Sequence, residues 1–234
     1  MKRIIKISLI LLLVGMAVIA AVPFFKEKRA ERKYENEFKK IQESVTEKKS
    51  DVNGLVKKNK DCIGYVQIPG TTISYPVMQT KDNPDFYLNH DFNRNYSFYG
   101  TPYLSAYCDV NKSDNLIIYG HNINGGKMFG ALEQYKDKEF FYKHRKIYFT
   151  TDKKREYEVF AVMSVNIHEF EYWKFVMARD EKEYDEFVDK VEEHSLWRQG
   201  NKPKYGEQML MLSTCDNGKG DDWRIVLIAK CVYS

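Results

Sequence analysis

Two apolar runs near the carboxyl end place the strongest constraint on how this chain folds. Leu210–Asp216 and Trp223–Lys230 are rich in Leu, Ile and Val, and a polar loop separates them. This pattern predicts a strand, a polar connection and a second strand. Cys215 then ends the first strand, and Arg224 begins the second. If the strands pair as neighbours, a guanidinium beside the thiol favours the thiolate and can hold an oxyanion, which makes Cys215 a candidate nucleophile.

A cysteine nucleophile needs a base, and the chain has five histidines. His121 stands out because it follows an apolar strand candidate, Asn115–Tyr119, after a single glycine. A histidine and a cysteine at two strand ends, far apart in sequence, fit nucleophilic thiol catalysis. The other histidines lie among charged residues or lack a comparable position at a strand end: His90, His144, His168 and His194.

Strand alternation identifies the side chains that flank this candidate pair. Successive side chains point to opposite faces of a strand. Ser213 therefore shares a face with Cys215, and Tyr119 shares a face with His121. We expect Ser213 and Tyr119 to line a groove beside the catalytic pair.

Three short motifs occur in a fixed order along the chain. They are Tyr-Gly-His-Asn at 119–122, Leu-Ser-Thr-Cys at 212–215, and Arg224 at the start of the last strand. Together they resemble the signature of the sortases, which are bacterial surface transpeptidases, and the resemblance extends over residues 60–234. It is most similar to class B, because a helical segment at Asp180–Trp197 precedes the cysteine strand and another helical segment precedes the barrel.

The resemblance implies a mostly β fold with flanking helices, in which a closed barrel of about eight strands follows N-terminal helices. A helix over residues 180–197 is predicted from the spacing of its apolar residues, with Asp180 and Glu183 forming a start like a capping box. Apolar runs and turn signals predict the remaining elements. These are a strand pair within Cys62–Val77, a helical turn at Asp85–His90, and strands at Gly100–Tyr107, Arg145–Thr151 and Glu156–Ile167.

The resemblance also implies roles for individual residues. Cys215 is the implied nucleophile, and His121 is the implied proton donor and acceptor. Arg224 is the implied group that holds the oxyanion or the backbone of the substrate's sorting signal. The implied substrate-binding residues are Asn89, Tyr119, Ser213 and Asp216, and for Asn89 a turn-capping role stays open. The implied partners are secreted proteins that bear a C-terminal sorting signal and an amine of a peptidoglycan precursor. No cofactor is implied, and the absence of CxxC spacing argues against a zinc site.

An uncharged run occupies residues 7–25, and its length is enough to span a bilayer. We therefore expect a cytoplasmic tail at 1–6, an uncleaved transmembrane anchor at 7–25, a helical spacer at 26–58 and the catalytic domain at 59–234. Small residues within Ala17–Val22 leave signal-peptide cleavage open. Basic residues flank both ends of the run, so charge does not decide its orientation. A catalytic domain on the outer side of a Gram-positive cell membrane is implied by the resemblance.

Net charge and cysteine content narrow the alternatives. A formal charge of +4, spread along the chain without a basic stripe, gives no support to a nucleic-acid partner. Four cysteines permit two disulfides, but a catalytic Cys215 leaves at least one other thiol unpaired. We expect Cys62 and Cys231 to be buried free thiols.

Other functions stay open at the level of sequence. One is a membrane-anchored thiol peptidase that releases its product to water. Another is a non-catalytic surface binding module whose cysteines are structural. A pilin-polymerising sortase is a third, although the sequence shows no inhibitory lid segment ahead of the barrel.

Overall fold

Residues 2–47 and 52–233 are described by a computed structural model. The chain divides into two compact units, Met1–Ile41 and Gln42–Ser234. The described part of the first unit lies within helix α1, Lys2–Glu47, which contains Pro23. No helix in the described ranges has the combination of length and apolar character needed to cross a membrane. In the predicted spacer, α1 is followed by α2, Val52–Lys58, and residues 48–51 lie outside the described residues.

A closed barrel of eight strands forms the second unit and confirms the predicted fold class. The strands follow the order β11-β10-β4-β3-β2-β1-β7-β8, and pairing between β8 and β11 closes the ring. A ninth strand, β9, pairs with β8, and β5 and β6 form a separate two-stranded sheet. The bounds are β1 Cys62–Gln67, β2 Ser74–Met78, β3 Tyr103–Leu104, β4 Asn115–Tyr119, β5 Asn122–Ile123, β6 Lys127–Met128, β7 Lys146–Thr150, β8 Lys154–Asn166, β9 Ser195–Arg198, β10 Met209–Cys215 and β11 Trp223–Tyr233.

The barrel core explains why its central strands are apolar without alternation. From Met209 to Thr214 every side chain of β10 is buried, and so is the stretch 225–229 of β11. Both faces of these strands are covered, so a continuous apolar run replaces the alternating pattern of a half-exposed strand. Each fully buried Leu, Ile or Val side chain contributes about 1.5–3 kcal/mol relative to exposure.

The helices that follow α2 are short. The bounds are α3 Lys138–Lys143 and α4 Glu181–Glu193, with 3₁₀ segments at Phe86–Leu88, Asn124–Gly126, Gly130–Lys136 and Tyr172–Lys174. Asp180 caps α4 by accepting a 2.9 Å hydrogen bond from the Glu183 amide, as predicted. The Glu183 carboxylate, however, accepts from the amide of Arg179 instead of reaching back to Asp180.

The predicted helix over residues 180–197 ends early. Residues from Ser195 onward form β9, which pairs with β8 through Val162 and Trp197. Sheet pairing therefore overrides the helical periodicity at this end. The predicted strand at Gly100–Tyr107 also shrinks to β3, because Gly100 has a φ of +60° and Pro102 has no amide hydrogen to donate.

Candidate active site

The predicted catalytic residues lie at one end of the barrel because of how three strands pair. β4 and β10 run parallel, with Tyr119 opposite Ser213. His121 follows Tyr119 by two positions, and Cys215 follows Ser213 by two positions, so both leave the sheet at the same end. β10 and β11 run antiparallel, and Cys215 lies directly opposite Arg224. The prediction that the two C-terminal strands are neighbours is therefore confirmed, and the topology brings all three side chains to the same rim.

Close backbone packing fixes the two strand ends against each other. The Gly120 amide donates to Ser213 O at 3.1 Å, and the Thr214 hydroxyl donates to Gly120 O at 2.7 Å. A Cβ on Gly120 would lie 2.8 Å from the ring of Phe129. The glycine before His121 is therefore required by this packing, which explains its place between the strand and the histidine.

A cleft of about 1000 Å³ opens at this rim. His121, Cys215 and Arg224 line it together with Tyr119 and Ser213. Its walls also carry an acidic and a basic side chain and three further aromatic rings: Asp85, Lys174, Tyr103, Tyr107 and Trp173. A volume of this size suits an extended peptide segment rather than a single small ion.

His121 is held by a backbone carbonyl on one wall of the cleft. Its Nε2 lies 2.8 Å from Leu88 O. A carbonyl oxygen only accepts, so this contact requires a proton on Nε2. The ring also stacks on Phe98 at 6.4 Å between centroids and 8° between planes. Nδ1 is then the nitrogen that carries no proton in the neutral ring and gains one when the imidazolium forms.

Arg224 is tethered by its own loop. Its Nη1 donates to Asp221 O at 2.6 Å and to Trp223 O at 2.9 Å. Within the described residues, Nε and Nη2 make no hydrogen bond. The guanidinium thus has a fixed orientation and retains donors for an incoming carbonyl oxygen.

The four thiols occupy two kinds of environment, and none forms a disulfide. Cys215 is half-buried at the end of β10, and Cys231 is half-buried in β11. Cys62, at the start of β1, and Cys108, between β3 and β4, are buried. Cys62 matches its predicted state, whereas Cys231 is less covered than predicted because it lies near the end of its strand.

Two of the four predicted substrate-binding residues line the cleft. Tyr119 packs against Tyr103 at 5.5 Å between ring centroids. Ser213 is buried, with its Oγ 2.7 Å from the hydroxyl of Tyr172. Burial raises the pKa of Tyr172 to about 12, against the opposing effect of the Ser213 hydrogen bond, so this phenol stays protonated near neutral pH.

Asn89 and Asp216 do not line the cleft among the described residues. Asn89 is exposed, and its amide and carbonyl make turn hydrogen bonds with Phe86 and Ser97. Asp216 is fully buried, and its carboxylate accepts from Lys136 at 2.6 Å and from Ser164 at 2.6 Å. Their role in binding substrate stays a prediction.

Sequence reasoning missed two groups that the structure puts at the site. Asn122 donates from Nδ2 to Cys215 O at 2.8 Å, and its position directly after His121 was the available signal. Tyr103 donates to Asp85 at 3.0 Å in the cleft wall. Burial and the neighbouring carboxylate raise the pKa of Tyr103, which keeps its hydroxyl protonated. Its two-residue strand is too short to have been placed at the cleft by periodicity.

Comparison with known proteins supports one family. The family described as Sortase domain matches residues 66–232. Sortase B of Staphylococcus aureus (strain NCTC 8325 / PS 47) is 29% identical over 242 residues, which covers 99% of this chain and 98% of that protein.

Two solved structures have the same fold over most of the chain. A Staphylococcus aureus sortase B–substrate complex superposes with a TM-score of 0.74 at 27% identity, covering 89% of this chain and 97% of that one. A sortase B complexed with triglycine gives a TM-score of 0.76 at 28% identity, covering 88% and 99%. From the matched domain, the barrel and these relatives together, the chain belongs to the sortase family and is a cysteine transpeptidase of the sortase B type.

Proposed function

We propose that this sortase is anchored in the cell membrane of a Gram-positive bacterium, cleaves a C-terminal sorting signal on secreted proteins, and transfers them to an amine of cell-wall peptidoglycan. The observation that carries the proposal is the convergence of Cys215, His121 and Arg224 on one peptide-sized cleft. The sortase B relatives solved with a substrate and with triglycine support a peptide donor and an amine acceptor.

The first half of the reaction forms a thioester. The Cys215 thiolate attacks the carbonyl carbon of a threonine in the signal, and the carbonyl oxygen takes the negative charge of the tetrahedral intermediate. The free donors of Arg224 stabilise that oxyanion. When the intermediate collapses, the peptide C–N bond breaks and the imidazolium of His121 protonates the departing amine. Loss of the carboxyl half of the signal leaves the acyl group on sulfur.

The second half transfers the acyl group. An amine of the peptidoglycan precursor enters the vacated part of the cleft. Neutral His121 takes a proton from this amine as the amine nitrogen attacks the thioester carbonyl. The C–S bond breaks, the thiolate of Cys215 is regenerated, and a new amide joins the secreted protein to the wall. Because His121 gives up one proton in the first half and takes one back in the second, the protons balance over the two halves and no cofactor is needed.

The membrane anchor in this proposal rests on the sequence. Residues 7–25 form an uncharged run with basic residues on both sides. An anchor there would hold the catalytic domain near secreted substrates as they emerge. Fractionation of cells that express the full-length chain tests this point: recovery with the membrane after carbonate washing supports it, and recovery in the soluble fraction contradicts it.

Intact-mass spectrometry tests the reaction. Full-length protein in detergent is incubated with a pool of short peptides that contain Pro-x-Thr, with and without triglycine. An acyl adduct on Cys215 that converts to a triglycine-linked product supports the transpeptidase. An adduct resolved only to free acid supports the alternative of a thiol peptidase. A free Cys215 thiol that accepts no acyl group from any peptide contradicts the proposal.

A further inference from the structure

A closed circuit of side chains joins the two strand ends that carry the candidate catalytic pair. We call it the anchoring ring, and it consists of Asn122, Glu133, Lys136 and Asp216 with the backbone of Cys215. Asn122 Nδ2 donates to Cys215 O at 2.8 Å and to Glu133 Oε1 at 2.7 Å. Lys136 Nζ lies 2.7 Å from Glu133 Oε2 and 2.6 Å from Asp216 Oδ1. The peptide bond between Cys215 and Asp216 completes the ring.

The ring reaches both catalytic residues through their immediate neighbours. Asn122 follows His121 in the chain, and Asp216 follows Cys215. None of the four ring side chains lines the cleft among the described residues. The ring therefore contacts the backbone that carries the thiol and the imidazole, and its side chains lie outside the described lining of the cleft.

Lys136 is the cation on which the ring depends. It bridges two carboxylates, and one of them, Asp216, is fully buried. Burial raises the pKa of Asp216, but the hydrogen bonds from Lys136 and Ser164 outweigh that effect and hold it below its usual value. The Lys136 carbonyl also accepts a 2.9 Å hydrogen bond from Trp197 Nε1, which fixes the backbone of Lys136 against β9.

We propose that Lys136 is a positioning residue for transpeptidation: through Asp216 and through Glu133 with Asn122, it sets the distance between Cys215 and His121. This inference rests on the function proposed above. Loss of the ammonium leaves two carboxylates without a shared cation and frees both strand ends to shift. Displacement of reacting groups by about 1 Å lowers a rate by about 100-fold, so the effect falls on turnover and not on peptide binding.

The test compares three variants of the full-length protein. Lys136→Met keeps the length of the side chain and removes its charge, and Lys136→Arg keeps the charge. Lys146→Met is the matched control, because it breaks a lysine–carboxylate pair, Lys146 with Glu156 at 2.8 Å, that lies outside the cleft. Each variant is assayed with triglycine and a peptide that the parent protein cleaves, at a temperature well below the melting transition of the variant.

We expect Lys136→Met to lower kcat by about 10- to 100-fold with KM for the peptide within about twofold of the parent. Lys136→Arg recovers most of the lost kcat, and Lys146→Met matches the parent. A folded Lys136→Met protein with parental kcat overturns the proposal, because a purely structural ion pair changes stability alone. An increase in KM at unchanged kcat overturns it as well, since it places Lys136 in substrate binding.

A double variant covers the case in which Lys136→Met does not fold. Lys136→Met with Asp216→Asn removes both charges and leaves no buried ion unpaired. We expect the same loss of kcat in this folded protein, and parental kcat overturns the proposal. Failure of both variants to fold makes Lys136 a folding residue and also overturns it.

The parent protein separates this inference from the function on which it rests. If the parent forms no acyl adduct with any peptide, the proposed function fails before Lys136 is tested. If the parent transfers peptide to triglycine and the Lys136 variants do so equally fast, only the positioning role fails.

Discussion

The buried part of the barrel domain and the rim of the cleft place the same functional group, a thiol, in different environments. Cys62 is buried in β1, its sulfur lies 3.5 Å from Gly64 O, and burial raises its pKa to about 12. Burial raises the pKa of Cys108 as well. Cys215 instead ends its strand at the wall of an open cleft, opposite a guanidinium. Burial thus keeps Cys62 and Cys108 protonated and unreactive, and the rim of the cleft is where a thiol is accessible to a substrate.

The strongest test of this contrast removes one thiol at a time. We expect Cys215→Ala to lower the acyl-transfer rate by at least about 10⁴-fold, because no other group at the rim replaces the nucleophile. Cys231→Ala is the control, since Cys231 is half-buried in β11 and lies outside the cleft. Mass spectrometry of the acyl adduct and circular dichroism of both proteins provide the measurement. Transfer activity in a pure Cys215→Ala preparation would disprove the assignment.

Arg224→Lys tests whether the rim needs the shape of the guanidinium as well as its charge. Two loop carbonyls hold Nη1, so the planar fork presents its other donors in a fixed direction. Lysine has no such fork, and loss of one oxyanion donor costs about 10²–10³ in kcat. Steady-state kinetics with a cleaved peptide measures the loss. A kcat within a few-fold of the parent would show that charge alone is sufficient.

Thiol reactivity compares the two regions in one sample. At pH 8, we expect iodoacetamide to modify Cys215 at least about 100-fold faster than Cys62 or Cys108, because the reactive species is the thiolate and burial disfavours it. Peptide mapping over time gives the separate rates. In denaturant the differences should disappear, and comparable rates in the native protein would contradict the contrast.

The smallest expected effect concerns acid stability. The pKa of Asp216 lies below its usual value, so its contribution to stability is complete above about pH 4 and is lost as pH falls through the lowered pKa. We expect the parent to lose more unfolding free energy between pH 7 and pH 3 than Asp216→Asn does, by up to about 1 kcal/mol. Urea titrations at the two pH values measure the difference. Equal losses would mean that the buried pair does not stabilise the charged carboxylate.

Local sequence patterns predict which residues meet at the cleft rim, but they do not predict the side chains that brace those residues from behind. Cys215, His121 and Arg224 were recognisable because strand periodicity locates strand ends, and parity located Tyr119 and Ser213 on the same faces. Neither Glu133 nor Lys136 carried such a signal. Both lie shortly before α3 in a stretch with many charged residues, and the sequence there does not distinguish a solvated side chain from one in a partly buried ion pair.

Fold boundaries failed where tertiary contacts compete with local pattern. Residues 195–197 continue the apolar spacing of α4, yet sheet pairing with β8 and the hydrogen bond from Trp197 to Lys136 O make them a strand. The resemblance implies a substrate-binding role for Asp216, and that role stays a prediction. Its side chain points to Lys136 and Ser164, partners that are 80 and 52 positions away in the chain and that no local pattern predicts.

The parallel pairing of β4 with β10 has a consequence for how the enzyme becomes active. The contact between Gly120 and Thr214 joins residues that are 94 positions apart in the chain. Contacts of such long range form slowly, because loop closure costs entropy before it yields stabilising interactions. We therefore expect a newly made chain to carry the Cys215 thiol and the His121 imidazole as separate groups until the completed barrel brings both side chains to one cleft.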